Sequence, residues 1–262
     1  MERITSAQNP KIKLLLELQN KSRARRENGL FVVEGRREID HCLEGGYEPD
    51  TVFFCPEILP ELPSFPDGTN VFEVSPAVYA KVAYREGTEG IIAEMKSKSA
   101  GLDTLEKLLE GKSDPLVMVL ESVEKPGNLG AVLRSADAAG ADAVLVCDPL
   151  TDLYNPNLIR ASIGAVFTVP VVACSSDEAI AWLQRQGFSI LTAQLQDSSL
   201  YYECDMKAAT AIVMGTESTG LSDRWRKAAT AHIRIPMLGR LDSLNVSVSA
   251  AILLFEAVRQ RR

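Results

Sequence analysis

The feature that most constrains the fold of this chain is an alternation of short apolar runs with helical segments that begins at Leu116. LVMVL, AVLVCD and TAIVMG are apolar runs of strand length, whereas DEAIAWLQRQ repeats its apolar residues at helical spacing. Strands that alternate with helices form a mostly parallel sheet with helices on both faces. Ligands of such sheets bind at the carboxyl ends of the strands. We therefore expect an α/β domain whose functional residues follow its strands.

A second, smaller α/β domain is predicted before it. Asn9 and Pro10 precede KIKLLLELQ, which is typical of a capped helix with proline at its first position. FVVEG, TVFFC, NVFEV and GIIAEM predict strands separated by helical segments. SKSAGLDTLEKLLEGKSDP carries Ser, Gly, Lys and Asp at both ends, as a linker with one helix does. We therefore predict domains at residues 1–97 and 115–262, joined by a linker at 98–114.

Length and composition indicate a globular protein and exclude the disordered and fibrous classes. The 262 residues are 46% hydrophobic and 24% charged, which supports a sizeable core. MERITSAQNPK lacks the apolar core of a signal peptide, and no later run approaches about 18 apolar residues, so we expect a cytoplasmic protein. The five cysteines are scattered and accompanied by only two histidines. We therefore expect buried, reduced thiols and no metal site.

The net charge of −7 conceals a basic N-terminal arm. Residues 1–37 contain nine Lys or Arg against four Glu, a balance of +5, so the remainder of the chain carries −12. A basic arm on an acidic protein is expected where the protein contacts nucleic-acid phosphates. A solvated helix face explains KSRARR equally well, and both interpretations stay open. The candidate RNA-binding residues are Lys21, Arg23, Arg25, Arg26 and Arg36.

The first strand end of interest is followed by KPGNLGAVLRSADAAG. Glycines that open a helix after a strand, with Asp148 about 20 residues later, resemble a dinucleotide-binding fingerprint. The match is poor because the loop contains Pro126 and the third glycine is missing. Asn128 and Arg134 stand six residues apart in this helix. Taken alone, Arg134 is typical of a surface side chain.

Two further strand ends carry glycines and polar residues. In VMGTESTGLS, Gly215 and Gly220 bracket Glu217, which suits either a backbone close to a ligand or a plain glycine turn. In IRIPMLGRLDSLNVS, a strand that ends at Pro236 leads through a loop to a helix rich in serine. Ser and Asn favour helix starts, but one cap needs only one of them. The others either permit close packing or face a ligand.

Together these segments resemble the SpoU/TrmH-type RNA ribose 2′-O-methyltransferases of the SPOUT superfamily. Asn128-Leu-Gly130-Ala-Val-Leu-Arg134 matches the first family motif, and Gly215 to Gly220 matches the second. The third motif matches Ile235 to Met237 and Ser243 to Ser247. Ser249 stands where alanine is more usual. The intervening family segment is similar to Arg160-Ala-Ser162-Ile-Gly164-Ala165 with Phe167 and Pro170, and FVVEGRREIDHCLEGG is similar to the family's ribosomal-protein-like RNA-binding domain.

The resemblance implies a fold, a cofactor and a partner. The fold would be a SPOUT domain, with a mostly parallel sheet, helices on both faces and a deep trefoil knot, beside a small RNA-binding α/β domain. The cofactor would be S-adenosylmethionine, and the partners would be ribosomal or transfer RNA and a second copy bound through the C-terminal domain. The implied cofactor-binding residues are Gly215, Ile235, Met237, Leu244 and Asn245.

The resemblance also implies the residues that act on the ribose 2′-hydroxyl. These candidate catalytic residues are Asn128, Arg134, Glu217, Ser243 and Asn245. A guanidinium is a poor base, so we expect Arg134 to bind the adjacent phosphate and stabilise developing alkoxide charge. The other four would hold Arg134 and the hydroxyl in position. Two alternative functions are a non-catalytic RNA-binding protein and a nucleotide-cofactor-binding α/β enzyme.

Overall fold

The computed structural model describes residues 1–84, 89–216 and 219–262 of the chain. Its strands in chain order are β1 (Glu2–Ile4), β2 (Leu30–Glu34), β3 (Pro49–Phe54), β4 (Asn70–Val74), β5 (Ile91–Lys96), β6 (Leu116–Glu121), β7 (Ala143–Cys147), β8 (Val171–Cys174), β9 (Ser189–Ala193), β10 (Ser199–Leu200), β11 (Thr210–Met214) and β12 (Ala231–Arg234). Its helices in chain order are α1 (Pro10–Asn20), α2 (Ser22–Asn28), α3 (Arg36–Glu44), α4 (Pro76–Val82), α5 (Leu102–Leu109), α6 (Pro126–Ala139), α7 (Pro156–Ser162), α8 (Ala165–Thr168), α9 (Ser176–Arg185), α10 (Asp223–Ala228) and α11 (Val246–Gln260).

The chain divides into two compact units. The first unit comprises Met1–Ser99 and Asp152–Thr168, and the second comprises Ala100–Thr151 and Val169–Arg262. The sequence alone predicts that residues 152–168 belong to the C-terminal domain. In the structure they pack with the N-terminal strands, while the domain bounds themselves stay a prediction.

The first unit is built on a mixed sheet with the strand order β1-β4-β3-β5-β2 in the described residues. β1, β4 and β3 run parallel, whereas β5 runs antiparallel to β3 and β2. The predicted helix cap at Asn9 is confirmed, since its side chain accepts a hydrogen bond from the Lys11 amide at 2.9 Å. Ile12, Leu15 and Leu18 of α1 are fully buried on one helical stripe. This stripe and the sheet form the core of the unit.

Aromatic packing explains why residues 152–168 join the first unit. Tyr154 stacks on Phe31 of β2 with the ring centroids 4.2 Å apart, and Phe167 stacks on the same ring at 5.7 Å. Gly45 lies so close to the Phe167 carbonyl that a Cβ atom there would collide with it. Burying these rings against β2 gives the segment a large apolar contact that its position in the sequence does not reveal.

Arg25 of α2 is part of the first unit's interior, and this contradicts its prediction as an RNA contact. Its side chain is only 5% exposed and forms an ion pair with Asp152 at 2.7 Å. It also donates to the backbone carbonyls of Leu18 and Gln19. A buried guanidinium needs such partners because an unpaired buried charge is costly. Arg25 therefore holds α2 to the 152–168 segment.

The second unit contains, in its described residues, a seven-stranded sheet with the order β10-β12-β9-β11-β6-β7-β8. Every neighbouring pair in it runs parallel, which confirms the predicted sheet. Val117 and Val119 of β6 face a core that includes Trp182 of α9 and Trp225 of α10. The intervening residues of β6 are also buried, so they face the opposite side, where α6 and α11 pack together. Helices thus cover both faces, while the trefoil knot stays a prediction.

The short strands β1 and β10 escaped prediction because two or three residues show no periodicity. The strand predicted to end at Pro236 ends two residues earlier, at Arg234. Cys42, Cys55 and Cys147 are buried free thiols as expected, but Cys174 and Cys204 are partly exposed. Among the described residues, no helix has the length and apolarity needed to cross a membrane, and no cluster of His, Cys, Asp or Glu is suited to a metal ion.

Candidate active site

The three polar segments noted in the sequence follow strands that lie near one another in the sheet. They follow β6, β11 and β12, and the register aligns the end of β6 with the end of β11, since Leu120 pairs with Met214. β9 lies between β11 and β12. Because all these strands are parallel, their carboxyl ends meet at one edge of the sheet. The three segments are therefore assembled at one place in the second unit.

Asn128 and Asn245 meet there although 117 residues separate them in the chain. Asn128 lies in the first turn of α6, and Asn245 precedes the first residue of α11. The Asn245 Nδ2 donates a hydrogen bond to the Asn128 Oδ1 at 3.2 Å. The packing of α6 against α11 brings the two amides together. The first and third motifs thus share a direct polar contact.

Asn245 is also the N-cap of α11. Its Oδ1 accepts hydrogen bonds from the Ser247 amide at 2.9 Å and from the Ser247 hydroxyl at 2.6 Å. Val246 is buried, whereas Ser249 lines the adjacent cavity. The polar residues at this helix start therefore have separate roles. Asn245 caps the helix, Ser247 supports the cap and Ser249 faces the cavity.

A tight turn follows β11, and its backbone leaves no room for a side chain at Gly215. A Cβ atom there would collide with the backbone of Gly220 and Leu221. Thr216 and Gly220 exchange backbone hydrogen bonds across the turn at 3.3 and 3.1 Å. Gly220 has a positive φ of 66°, which favours glycine. Glu217 lies outside the described residues, so its predicted role stays a prediction.

A cavity of about 420 Å³ opens between these segments. Its volume falls in the range typical of small-molecule sites. Four of the five residues predicted to bind the cofactor line it, together with one predicted catalytic residue. They are Gly215, Ile235, Met237, Leu244 and Ser243. Asn245 does not line this cavity but contacts Asn128 beside it.

A smaller cavity of about 120 Å³ adjoins the first, because Gly215, Thr216 and Val246 line both. Asn128 and Lys125 also line the smaller cavity. Arg134 lies further along α6 with its side chain exposed and lines neither cavity. Within the described residues its guanidinium makes no ion pair. It is therefore available to a ligand phosphate.

The cavity offers both apolar and charged groups. Ile233, Ile235 and Leu253 provide apolar walls, while Arg226 and Asp242 lie on its lining. S-adenosylmethionine combines a flat aromatic base, whose faces suit apolar walls, with a carboxylate and an ammonium group that would match an arginine and an aspartate. The residues present therefore fit this cofactor.

Sequence reasoning missed Glu121, which anchors the loops of the site. Glu121 ends β6 and is buried, with 5% of its surface exposed. It accepts hydrogen bonds from the Ser222 amide at 2.8 Å and the Ser222 hydroxyl at 2.6 Å, just beyond the glycine turn. The sequence signal that could have identified Glu121 is a carboxylate at the end of an otherwise apolar strand. Arg226, Asp242 and Gln194, which line the cavity, carried no such signal.

Comparison with known proteins places this site in a family. Residues 115–255 match the SpoU rRNA Methylase family, and residues 9–93 match the MRM3-like substrate binding domain. The chain belongs to the SpoU rRNA methylase family. It is accordingly a methyltransferase, and this outcome favours the enzyme over the two alternative functions.

Named relatives extend over most of the chain. The 23S rRNA (guanosine(2553)-2′-O)-methyltransferase RlmP of Bacillus subtilis is 29% identical over 97% of this chain and 98% of its own length. The 23S rRNA (guanosine-2′-O-)-methyltransferase RlmB of Ralstonia nicotianae is 36% identical over 69% of this chain and 73% of its own.

Solved structures share the whole fold. A crystal structure of an RNA 2′-O ribose methyltransferase is 39% identical, with a TM-score of 0.80 and 99% of both chains covered. The AdoMet-bound rRNA methyltransferase from Sinorhizobium meliloti is 28% identical, with a TM-score of 0.87, covering 98% of this chain and 97% of its own. The SpoU methylase family and these neighbours identify S-adenosylmethionine as the cofactor.

The two tasks of Asn245 can be separated by substitution. Asn245→Ala removes both the helix cap and the amide that reaches Asn128, so we expect it to lower the free energy of unfolding by about 1 kcal/mol. Asn245→Ser keeps a capping oxygen but loses the bond to Asn128. We expect it to retain stability while methyl transfer slows roughly tenfold. Urea unfolding and single-turnover rates would measure the two effects, and a full rate for Asn245→Ser would leave Asn245 with the cap alone.

Proposed function

We propose that this chain transfers the methyl group of S-adenosylmethionine to a ribose 2′-hydroxyl of ribosomal RNA. The observation that carries the proposal is the Asn128–Asn245 contact, which links the start of α11, beside the lined cavity, to the helix α6 that bears Arg134. Ribosomal RNA is favoured over transfer RNA because the named relatives act on 23S rRNA. Their names also specify guanosine, which makes guanosine riboses the first positions to map.

The cofactor would lie in the larger cavity. Gly215, Ile235, Met237 and Leu244 would contact it, and Arg226 and Asp242 would bind its carboxylate and ammonium groups. The sulfonium of S-adenosylmethionine supplies an electrophilic methyl group. The protein therefore has to hold the 2′-hydroxyl in line and stabilise the negative charge that develops on its oxygen.

Arg134 is proposed as the residue that meets this charge. Its exposed guanidinium, which has no ion pair in the described part of the chain, can bind the phosphate next to the reacting ribose with two parallel hydrogen bonds. A guanidinium keeps its proton at neutral pH, so Arg134 would act as a positive charge rather than as a base. The hydroxyl proton would leave to the adjacent phosphate or to water, while the cofactor departs as the neutral thioether S-adenosylhomocysteine. Asn128 and Asn245 would orient the hydroxyl beside it. Ser243, whose hydroxyl donates to Asp242 at 3.2 Å, and Glu217 complete the proposed set.

The first unit is proposed to bind the RNA. Its match to a substrate binding domain supports this, as does the exposure of Lys21, Arg23, Arg26 and Arg36. The first two pair with Glu17 and Glu27 one helical turn away. Such exposed pairs contribute little, so phosphates can replace these carboxylates. Arg25 is excluded because it is buried.

A homodimer through α11 is also proposed. Val248 and Phe255 lie seven residues apart on one face of α11 and are 47% and 48% exposed. Leu244, four residues before Val248 and just outside the helix, is exposed as well. A row of exposed apolar side chains on one helix suits burial against the same helix of a second copy. The cytoplasmic location expected from the sequence stays a prediction.

We expect Arg134→Ala to reduce single-turnover methyl transfer to ribosomal RNA by roughly 100- to 1,000-fold or more, as the loss of a preorganised donor does. Cofactor affinity, measured by calorimetry, should stay within a few-fold because Arg134 does not line the larger cavity. Arg134→Lys keeps the charge without the planar fork and should recover only part of the rate. Near-normal rates for Arg134→Ala would refute its proposed role.

Replacing Arg23 and Arg26 together by Gln should reduce the slope of RNA affinity against salt concentration by about two units, one for each phosphate that is no longer neutralised. The matched control is Arg185→Gln with Arg224→Gln, which removes the same charge from exposed residues of the second unit. Filter binding at several salt concentrations would measure both slopes. An unchanged slope in the first variant would mean that α2 is a solvated helix face.

Sedimentation at micromolar concentration should give a particle of twice the 28.6 kDa chain mass. Phe255→Arg places a charge within the proposed interface and should shift the protein to monomer. Leu108→Arg, at a side chain that is 53% exposed on α5, is the matched control and should leave the dimer intact. A wild-type protein that sediments as a monomer would contradict the proposed homodimer.

A further inference from the structure

We propose that Gln194 recognises the adenine of S-adenosylmethionine through its side-chain carbonyl. Gln194 directly follows β9, the strand between β11 and β12, and lines the larger cavity. Its backbone amide donates to the Ile233 carbonyl at 3.0 Å, which fixes its position beside β12. This inference rests on the proposed function, since it assigns a part of the cofactor to one side of the cavity.

Only the nitrogen of the Gln194 side-chain amide has a hydrogen-bond partner among the described residues. Its Nε2 donates to the backbone carbonyl of Gln196 at 2.9 Å. Its Oε1 is buried and has no hydrogen-bond donor among the described residues. Buried acceptors almost always have a partner, so this atom calls for a donor that the described part of the chain does not supply.

The orientation of this amide is fixed by its neighbour. Turning the group over would place the Gln194 oxygen against the Gln196 carbonyl oxygen, and two acceptors repel each other. The Oε1 must therefore face away from Gln196. Because Gln194 lines the larger cavity, we infer that this preoriented acceptor meets a ligand bound there, beside the apolar walls at Ile233 and Ile235.

The adenine amine is the donor that fits this acceptor. A neutral carbonyl beside apolar side chains suits a neutral N–H group on a flat base. The cofactor's ammonium carries a charge and is better matched by Asp242, the carboxylate on the same cavity's lining. A site that hydrogen-bonds an amine discriminates strongly against a base that carries an oxygen there. Gln194 would therefore select adenine over hypoxanthine.

The test uses calorimetric titration of the full chain with S-adenosylhomocysteine, its inosine analogue and 5′-methylthioadenosine. The wild type should bind the adenine compound roughly 30-fold more tightly than the inosine analogue. Gln194→Met should weaken S-adenosylhomocysteine and methylthioadenosine by the same factor, roughly tenfold, while the inosine analogue stays within about threefold. Gln184→Met, at an exposed glutamine of α9 that does not line the cavity, is the matched control and should change none of these values.

The outcomes separate this inference from the proposed function. A wild type that does not bind S-adenosylhomocysteine would overturn both. Normal binding of all three compounds by Gln194→Met would overturn the role of Gln194 alone. If the variant lost affinity for S-adenosylhomocysteine but not for methylthioadenosine, which lacks the amino-acid portion, Gln194 would contact the ammonium and the adenine assignment would be wrong.

Discussion

The parallel pairing of β6, β11, β9 and β12 is the constraint on which the rest of the second unit depends. Strands in such a sheet are covered on both faces, so their side chains are committed to the core. Ile212 and Val213, for example, are both fully buried although they point to opposite faces. Chemistry is therefore confined to the residues that follow each strand. Parallel direction then brings these residues to one edge, whatever their distance in the chain.

Two polar contacts hold the loops at that edge. Glu121 needs donors because it is buried, and Ser222 supplies two of them, so the glycine turn after β11 is fastened to the end of β6. Asn245 caps α11 and at the same time reaches Asn128. The same contacts that stabilise local structure therefore determine the positions of the residues that line the cavity. Preorganisation of this kind matters for methyl transfer because alignment supplies much of the rate.

Nearby carboxylates neutralise part of the positive charge of the N-terminal arm, residues 1–37. Lys21, Arg23 and Arg36 each have a carboxylate within 4.0 Å, and Arg25 is paired with Asp152 inside the unit. The arm's positive charge in sequence is thus larger than the free positive charge on the surface. Among the five candidate RNA-binding residues, Arg26 is exposed and has no ion pair in the described residues, and the same holds for Lys11 and Lys13 elsewhere in the arm. The excess of positive charge counted along the sequence therefore overstates the charge that an RNA phosphate backbone would contact.

The sequence by itself determined the elements and the family. The spacing of apolar residues and the presence of cap residues, such as Asn9 before α1, indicated most strands and helices because these signals are local. The motif residues around Asn128, Gly215 and Asn245 were also readable without a structure. Only the tertiary structure decided that Arg25 is buried against Asp152, that residues 152–168 pack with the first unit, and that the Gln194 carbonyl has no donor among the described residues. Each of these depends on which distant residues become neighbours, and local patterns in a sequence hold no record of that pairing.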